Sequence, residues 1–388
     1  MTIGNGVTSI GENAFRGCFF LADQFINNSS LTSSDNWGAV LFDEETDDGI
    51  LIKDYVVVGC RKWATSVTIP NSVTSIENSA FMYCSGLTSV TIPGSVTSIG
   101  SYAFMYCSGL TSITIPDSVT SIGGYAFYGC SGLTSVTIGG GVTSIGGGVF
   151  SHCTGLTAIV IPNNVKAITT SAFSGCSSLT SVTIGSGVTN ISMRPFSDCT
   201  SLNAVHVADL SAWCRIRFGR GDNPLMYAHH LYLNGKEITD LVVSEDVTSI
   251  NPHVFSGCEG LTSVTIPESV TSIGDGAFEG CSGLKDVYCL AEEVPETVDN
   301  AFNGSNAENA ILHVPACALE AYRTTAPWNS FGTIDAFTDE DAIGDVMASE
   351  ELAEIVRHDV QGRIIAKPQK GINIIRMSDG TTRKVMVK

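Results

Sequence analysis

The segment Leu87-Thr88-Ser89-Val90-Thr91-Ile92-Pro93-Gly94-Ser95-Val96-Thr97-Ser98-Ile99-Gly100-Ser101-Tyr102-Ala103-Phe104-Met105-Tyr106-Cys107 decides the fold. From Ser89 to Ile92 polar residues alternate with β-branched apolar ones. That pattern predicts a strand with Val90 and Ile92 facing in and Ser89 and Thr91 facing out. Pro93-Gly94 turns the chain. Val96 and Ile99 make a second apolar pair, read as a short strand or extended corner. Ala103, Phe104 and Cys107 stand at helical spacing, which predicts one helical turn. A single coil of this kind cannot bury its own apolar groups, whereas stacked copies can.

The copies are present. Phe81, Phe104, Phe127, Phe150, Phe173 and Phe196 fall every 23 residues, and Phe255 and Phe278 resume the step. Cys84, Cys107, Cys130, Cys153, Cys176 and Cys199 keep the same interval, followed by Cys258 and Cys281. A period of this length, with a strand, a leucine and a cysteine at fixed places, is the signature of a leucine-rich solenoid. The expected fold class is a β-rich, right-handed solenoid of 23-residue coils with a parallel sheet and short helical turns, plus a small C-terminal β tail. Such scaffolds shift the functional expectation from catalysis toward binding.

This unit resembles the BspA-like leucine-rich repeat family, whose pattern runs Leu-x-x-Val-x-Ile-Pro-x-x-Val-x-x-Ile-x-x-x-Ala-Phe-x-x-Cys. It recurs from Ser66 to Leu202 and from Val242 to Leu284, with a degenerate copy ending near Phe302 and a partial one at the start. The resemblance implies a bacterial surface or secreted protein used in adhesion or host contact.

Composition narrows the partners. The net charge is −19, so nucleic acid, which needs a basic stripe, is not an expected partner. The charge is uneven: Arg357 to Lys388 holds eight Lys/Arg against two Asp/Glu. No run of eighteen apolar residues exists, so no membrane span is expected. No basic-then-apolar signal peptide opens the chain. Met1-Thr2-Ile3 sits where Val67-Thr68-Ile69 sits in a later coil. Either a native N-terminus with an export signal precedes it, or the protein is cytoplasmic. Of the thirteen cysteines, the eight above and Cys18 share one repeat position and are expected to be buried thiols beside the phenylalanines. Any disulfide would involve Cys60, Cys214, Cys289 or Cys317. No CxxC pair occurs, and no structural zinc site is expected.

The solenoid is expected over residues 1–337, with enlarged coils at 16–65 and 208–240 and a C-terminal cap at 303–337. In the first enlargement Trp37 to Phe42, Ile50 to Ile52 and Val56 to Val58 read as strands around an acidic loop. In the cap, Leu312 to Pro315 and Ala321-Tyr322 shield the last apolar edge. Residues 338–354 read as an acidic linker. Residues 355–388 read as a small β-rich module with strands at 363–365, 372–375 and 384–387. The pattern Gly362-Arg363, Pro368, Lys370-Gly371-Ile372 and Lys388 resembles the tail of a type IX secretion sorting domain, and implies surface delivery.

The outward strand positions form hydroxyl rows: Ser89/Thr91, Ser112/Thr114, Ser135/Thr137, Ser181/Thr183 and Ser263/Thr265. They offer a flat polar face to a protein or glycan, or they simply keep a good strand soluble. Interruptions of these rows at Ala158/Val160, Ala204/His206 and Asp286/Tyr288 are better candidates for specificity, Val160, His206 and Tyr288 above all; they also make an ice-matching lattice implausible. The enlarged coil adds a loop, from Trp213 to Tyr232, with candidates Trp213, Tyr227, His229 and Tyr232. Within it Arg220-Gly221-Asp222 lies in a turn context, Gly219 to Pro224, that suits an exposed adhesion tripeptide or only a turn. His229-His230 near Cys214 would be an awkward metal or nucleophile site, because adjacent strand residues point oppositely; packing is the plainer reading. Asp43 to Gly49 lacks the twelve-residue calcium-loop pattern and reads as a solvated charge run. No Gly-x-Ser-x-Gly, phosphate loop or HExxH occurs, and neither a cofactor nor a metal is expected.

The expected function is non-catalytic binding or adhesion at the cell surface or after secretion, toward a protein or glycan on a host or neighbouring cell. A structural spacer without a ligand is the rival reading. A solenoid enzyme acting on polysaccharide is a third and requires clustered acids near an enlarged coil.

Overall fold

The computed structural model describes residues 44–219 and 221–337, the strands Thr2–Ile3, Ile26–Asn27, Glu354–His358, Gly371–Met377 and Thr382–Val387, and Ile365 and Lys367. The chain divides into two compact units, Met1–Val205 and His206–Lys388.

In the first unit each coil gives one strand to a parallel row. Ser66–Thr68 pairs in register with Ser89–Thr91, Ser112–Ile115 with Ser135–Ile138, and Ala158–Ile161 with Ser181–Ile184. Partners are 23 residues apart, so like side chains stack on like. Val90 and Ile92 are buried and Ser89 and Thr91 exposed, as alternation requires. The second apolar pair forms a corner row of two-residue strands, Ser75–Ile76, Ser98–Ile99 and Ser121–Ile122, also parallel.

Phenylalanines form the spine. Ring centroids from Phe81 through Phe104, Phe127, Phe150 and Phe173 to Phe196 are spaced 4.7, 5.0, 5.3, 5.6 and 5.4 Å, with every pair of planes nearly parallel. All six are essentially fully buried. Where helical spacing predicted a helical turn, the chain makes a succession of tight turns. Met105 N–H bonds to the Tyr102 carbonyl at 3.0 Å, while Phe104 and Tyr106 N–H reach Ala126 and Tyr128 of the next coil at 2.7 and 2.8 Å. Half of the donors thus bond across coils instead of up a helix.

The fixed cysteine has a bonding reason as well as a packing one. Cys107, Cys130, Cys153, Cys176 and Cys199 each donate the thiol to a phenylalanine carbonyl one coil back, at 3.0–3.2 Å. Threonine does the same at the edge of the strand row: Thr88 Oγ1 donates to the Thr65 carbonyl at 2.8 Å and Thr134 to Thr111 at 3.1 Å. Both residues satisfy carbonyls that a plain stack leaves half used.

The first enlargement folds as an antiparallel extension of the corner row. Val56–Cys60 pairs in parallel with Ser75–Ile76, then Ile50–Lys53 and Glu44–Glu45 add antiparallel. Asp54 and Tyr55, both left-handed at φ 51° and 65°, make the hairpin turn. The predicted strand at 37–42 lies outside the described residues, apart from which the acidic loop is tied down. Glu45 takes both Arg61 hydrogen bonds at 3.0 and 2.8 Å, and Asp48 accepts the Thr68 N–H at 2.7 Å. The Arg61 hydrogen bond holds the Glu45 carboxyl below its usual pKa.

The second unit repeats the plan. Asp240–Val242, Ser263–Ile266, Asp286–Cys289, Ile311–Pro315 and Thr333–Phe337 form one parallel sheet. Phe255, Phe278 and Phe302 stack at 5.4 and 5.3 Å, and Trp328 then meets Phe302 edge-on at 5.4 Å. Buried Tyr322 donates its hydroxyl to the Ala291 carbonyl at 2.9 Å. The tail strands Glu354–His358, Gly371–Met377 and Thr382–Val387 form an antiparallel sheet. The last two match their predicted positions. Ile365 is in no strand, and Arg363 and Ile364 lie outside the described residues.

All cysteines among the described residues are free thiols, including Cys60, Cys214 and Cys289, and only Cys317 is exposed. Burial pushes the thiols of Cys130, Cys199, Cys214 and Cys258 up to about 12. A thiol in that state is neither ionised nor accessible. Iodoacetamide at pH 8 is therefore expected to label Cys317, and to reach the repeat cysteines from Cys84 to Cys281 only after denaturation; Cys18 lies outside the described residues. Mass mapping that found rapid native labelling of Cys130 or Cys153 would contradict the buried ladder.

Candidate functional site

The predicted strand-face residues are placed as follows. In the first unit Val160 points outward from Ala158–Ile161 and is 59% exposed, an apolar interruption in a hydroxyl face. In the second unit His206 and Tyr232 come together, with ring centroids 4.8 Å apart. Tyr288 stacks flat on His313 at 4.4 Å and 10°. His313 Nε2 lies 3.1 Å from Asp286 Oδ1, and Ser263 donates to Asp240 at 2.6 Å. Burial, then the nearby Asp286 and Asp240, pushes the Tyr288 phenol pKa up. This aromatic and carboxylate surface grows from parallel pairing, which sets Asp240, Ser263 and Asp286 in one line and Thr265, Tyr288 and His313 in the next. Asp286 was legible as an interruption of the hydroxyl row, whereas His313 and Asp240 escaped the sequence reading because their strands, Ile311–Pro315 and Asp240–Val242, depart from the repeat consensus.

Several expectations in the loop are corrected. Trp213 is a core residue: it is 1% exposed, its Nε1 donates to the Val254 carbonyl at 3.2 Å, and its ring packs on Phe218. A side chain so enclosed cannot touch a partner. Asp222 is buried at 6% exposure and turned back over Gly219, where a Cβ would lie 2.1 Å from its carboxylate. An adhesion tripeptide requires that carboxylate to project, so Asp222 does not serve one here. Gly221 supplies a left-handed turn residue at φ 77°, and Arg220 lies outside the described residues. Neighbouring Asn223 explains the turn. Its amide donates to the His253 and Val254 carbonyls at 2.7 and 2.8 Å, and its carbonyl receives the Leu225 N–H at 2.9 Å.

His229 and His230 are not on a strand. His229 ends the helix Leu225–Ala228 in a left-handed conformation, its Nδ1 3.1 Å from the Gly257 carbonyl. His230 Nδ1 lies 2.6 Å from Glu237. Each ring therefore has its own partner. Tyr227 is half-buried on the same helix. The row Ser263/Thr265 is also not outward in effect, since both residues are buried.

The first unit carries an aromatic surface that the sequence reading passed over. Tyr83 and Tyr106, each two residues after a spine phenylalanine, stack at 5.2 Å and 13°. Tyr102 and Tyr125, each two residues before one, stack at 5.6 Å and 4°. Tyr128 meets Tyr106 and Tyr125 edge-on at 5.4 and 5.9 Å, and His152 continues from Tyr128 at 5.2 Å. Tyr83, Tyr106, Tyr128 and His152 line a groove of about 720 Å³ whose other lining residues are serine, threonine and glycine. Its signal was available: Tyr83 and Tyr106 keep the 23-residue step beside the phenylalanines, as do Tyr102 and Tyr125, and His152 falls on the Tyr83 step.

That surface is held against a backbone preference. Tyr83, Tyr102, Tyr106 and Tyr125 have φ of 58–60°, where other coils carry Gly129, Gly148, Gly175, Gly257 or Gly280. A side chain there costs roughly 1 kcal/mol relative to glycine. Gly129 makes room in turn, because a Cβ on it would come within 2.5 Å of the Tyr106 ring.

Among the described residues no group of His, Cys, Asp and Glu could hold a metal ion, and no helix is long and apolar enough to cross a membrane. No curated protein matches the chain. Among solved structures it is similar to a leucine-rich cell surface protein of Faecalibacterium prausnitzii, at 25% identity over 76% of this chain and 92% of that one, with a TM-score of 0.38. A leucine-rich repeat protein of Bacteroides ovatus is 24% identical over 79% and 90%, with a TM-score of 0.39. The pneumococcal vaccine antigen PcpA is 16% identical over 75% and 84%, with a TM-score of 0.37. Residues 1–37, 50–154, 97–212 and 229–318 match the model of the BspA type leucine rich repeat region, in six copies. With that match over most of its length and the stacked coils that realise it, the chain belongs to the BspA-type leucine-rich repeat proteins.

Proposed function

We propose that the protein is a non-catalytic binding or adhesion protein of the bacterial cell surface, engaging a protein or glycan partner through its sheet face. The observation that carries this reading is the pair of aromatic contacts, His206–Tyr232 and Tyr288–His313, the second flanked by Asp240 and Asp286, on a strand row that elsewhere carries mostly serine and threonine. Aromatic rings held flat on paired strands lose little freedom on binding, so their contact energy is retained as affinity. Val160 offers a comparable apolar point in the first unit. Membership of the BspA-type leucine-rich repeat proteins supports the location. In the same reading residues 303–337 cap the solenoid, 338–354 link it, and 355–388 form a sorting-like module. Its antiparallel sheet, whose first strand begins at Glu354, supports a separate module.

The test is a binding screen of the full chain against immobilised matrix proteins and a glycan array, with two paired variants, His206→Ala/Tyr232→Ala and Tyr288→Ala/His313→Ala. At least one pair is expected to weaken whatever binding the parent shows by about tenfold or more. Absence of binding to every probe, or parent-like affinity in both variants, would reject the sheet face.

A further inference from the structure

We propose that the tyrosine groove of the first unit is a second binding site, built for a neutral, extended glycan whose sugar rings lie one per coil. It goes beyond the sheet-face reading and stands on different residues.

The chemistry of the lining selects the ligand. Tyr83 and Tyr106 present stacked, exposed rings one coil apart, 5.2 Å centre to centre. Their faces are turned to one another in the stack, so each coil offers a ring edge and a phenol hydroxyl. An equatorially linked hexose chain advances on the same length scale and brings a hydroxyl rim to each phenol in turn. Along the tyrosine line runs a hydroxyl line, Ser85, Ser108, Ser131 and Thr154, exposed and again one per coil. Hydroxyls that donate and accept suit the alternating hydroxyl rim of a sugar. Burial and a hydrogen bond to Tyr106 push the Tyr128 phenol pKa up, so it too is a neutral donor and acceptor. Apart from His152 no lining residue is titratable near neutrality, and none is Lys, Arg, Asp or Glu. An anionic polysaccharide or a charged peptide finds no counter-ion there.

The backbone points the same way. Tyr83 and Tyr106 occupy left-handed positions that Gly129, Gly175, Gly257, Gly280 and Gly304 fill in other coils, with His152 and Asp198 as the remaining side chains there. Such residues persist where something other than stability keeps them, and they concentrate at ligand sites. Glycine at Gly129 also lets the Tyr106 ring lie flat.

The site is tested by titration calorimetry of the full chain with cellohexaose and chitohexaose, beside heparin and a proline-rich peptide. The variant pair is Tyr83→Gly/Tyr106→Gly. Because glycine suits the left-handed backbone, this variant is expected to melt at or above the parent temperature, so lost binding is not lost folding. The parent is expected to bind at least one hexasaccharide, and the variant to bind it about tenfold or more weakly. Tyr288→Ala/His313→Ala is titrated beside it. The proposal is overturned if neither hexasaccharide binds at millimolar concentration or if the double glycine variant binds like the parent. It is equally overturned if the tyrosines prove necessary only for heparin or the proline-rich peptide. Sugar binding lost only in the Tyr288/His313 variant would reject the groove while leaving the sheet-face reading intact.

Discussion

Phe127→Ala is expected to destabilise the first unit by about 3–5 kcal/mol, the scale of truncating a fully buried aromatic side chain. Phe127 is fully buried, with Phe104 5.0 Å on one side and Phe150 5.3 Å on the other. Truncation removes both stacks and leaves a void that neither neighbour can fill without dragging its own coil out of register. Stability in a repeat array is a sum of coil and interface terms, so one lost coil weakens two interfaces. Urea denaturation followed by circular dichroism measures it. A loss below about 1 kcal/mol, typical of a surface change, would mean the column is not a spine.

Asn223→Ala is expected to cost the second unit roughly 1–3 kcal/mol, because it strands the Leu225 N–H in the interior and takes one of two donors from the His253 carbonyl, which keeps the Ser256 N–H. The Val254 carbonyl keeps the Trp213 indole as a donor. Asn223→Asp preserves the shape but aims a carboxylate at two carbonyl oxygens, and is expected to be at least as damaging at pH 7. Parent-like melting of the aspartate variant would show that the amide hydrogen bonds do not hold this turn.

What the sequence disclosed depended on whether a residue's role repeats. Phenylalanine and cysteine recur at one interval, and register pairing turns that interval directly into a column. The alternation in Ser89-Val90-Thr91-Ile92 likewise fixes which side chains face in. Exposure is another matter. Ser135-Val136-Thr137-Ile138, Ser181-Val182-Thr183-Ile184 and Ser263-Val264-Thr265-Ile266 are identical in sequence, yet their hydroxyls are exposed, half-buried and buried in turn. The difference comes from what lies beside each strand, such as Asp240 and Tyr288 around the third. Trp213 and Asp222 were misplaced for a related reason. Their surroundings come from Val254 and Gly219 by packing, and no local pattern encodes the 41-residue reach from the Trp213 indole to its acceptor. The tyrosine groove was periodic and therefore readable, but its residues sit in a turn row whose left-handed backbone only coordinates reveal.

The thiol and threonine bonds each span one coil and no further, from Cys107 to Phe81 or from Thr88 to Thr65. Nothing in them registers how many coils lie beyond. The molecule therefore has no preferred length of its own. A tandem duplication of 23 codons lengthens it by one whole storey and forms a complete new set of contacts. An insertion of any other size must bulge outward as a loop. Evolution of such a chain proceeds in unit steps, with novelty accumulating in the storeys where the count is broken.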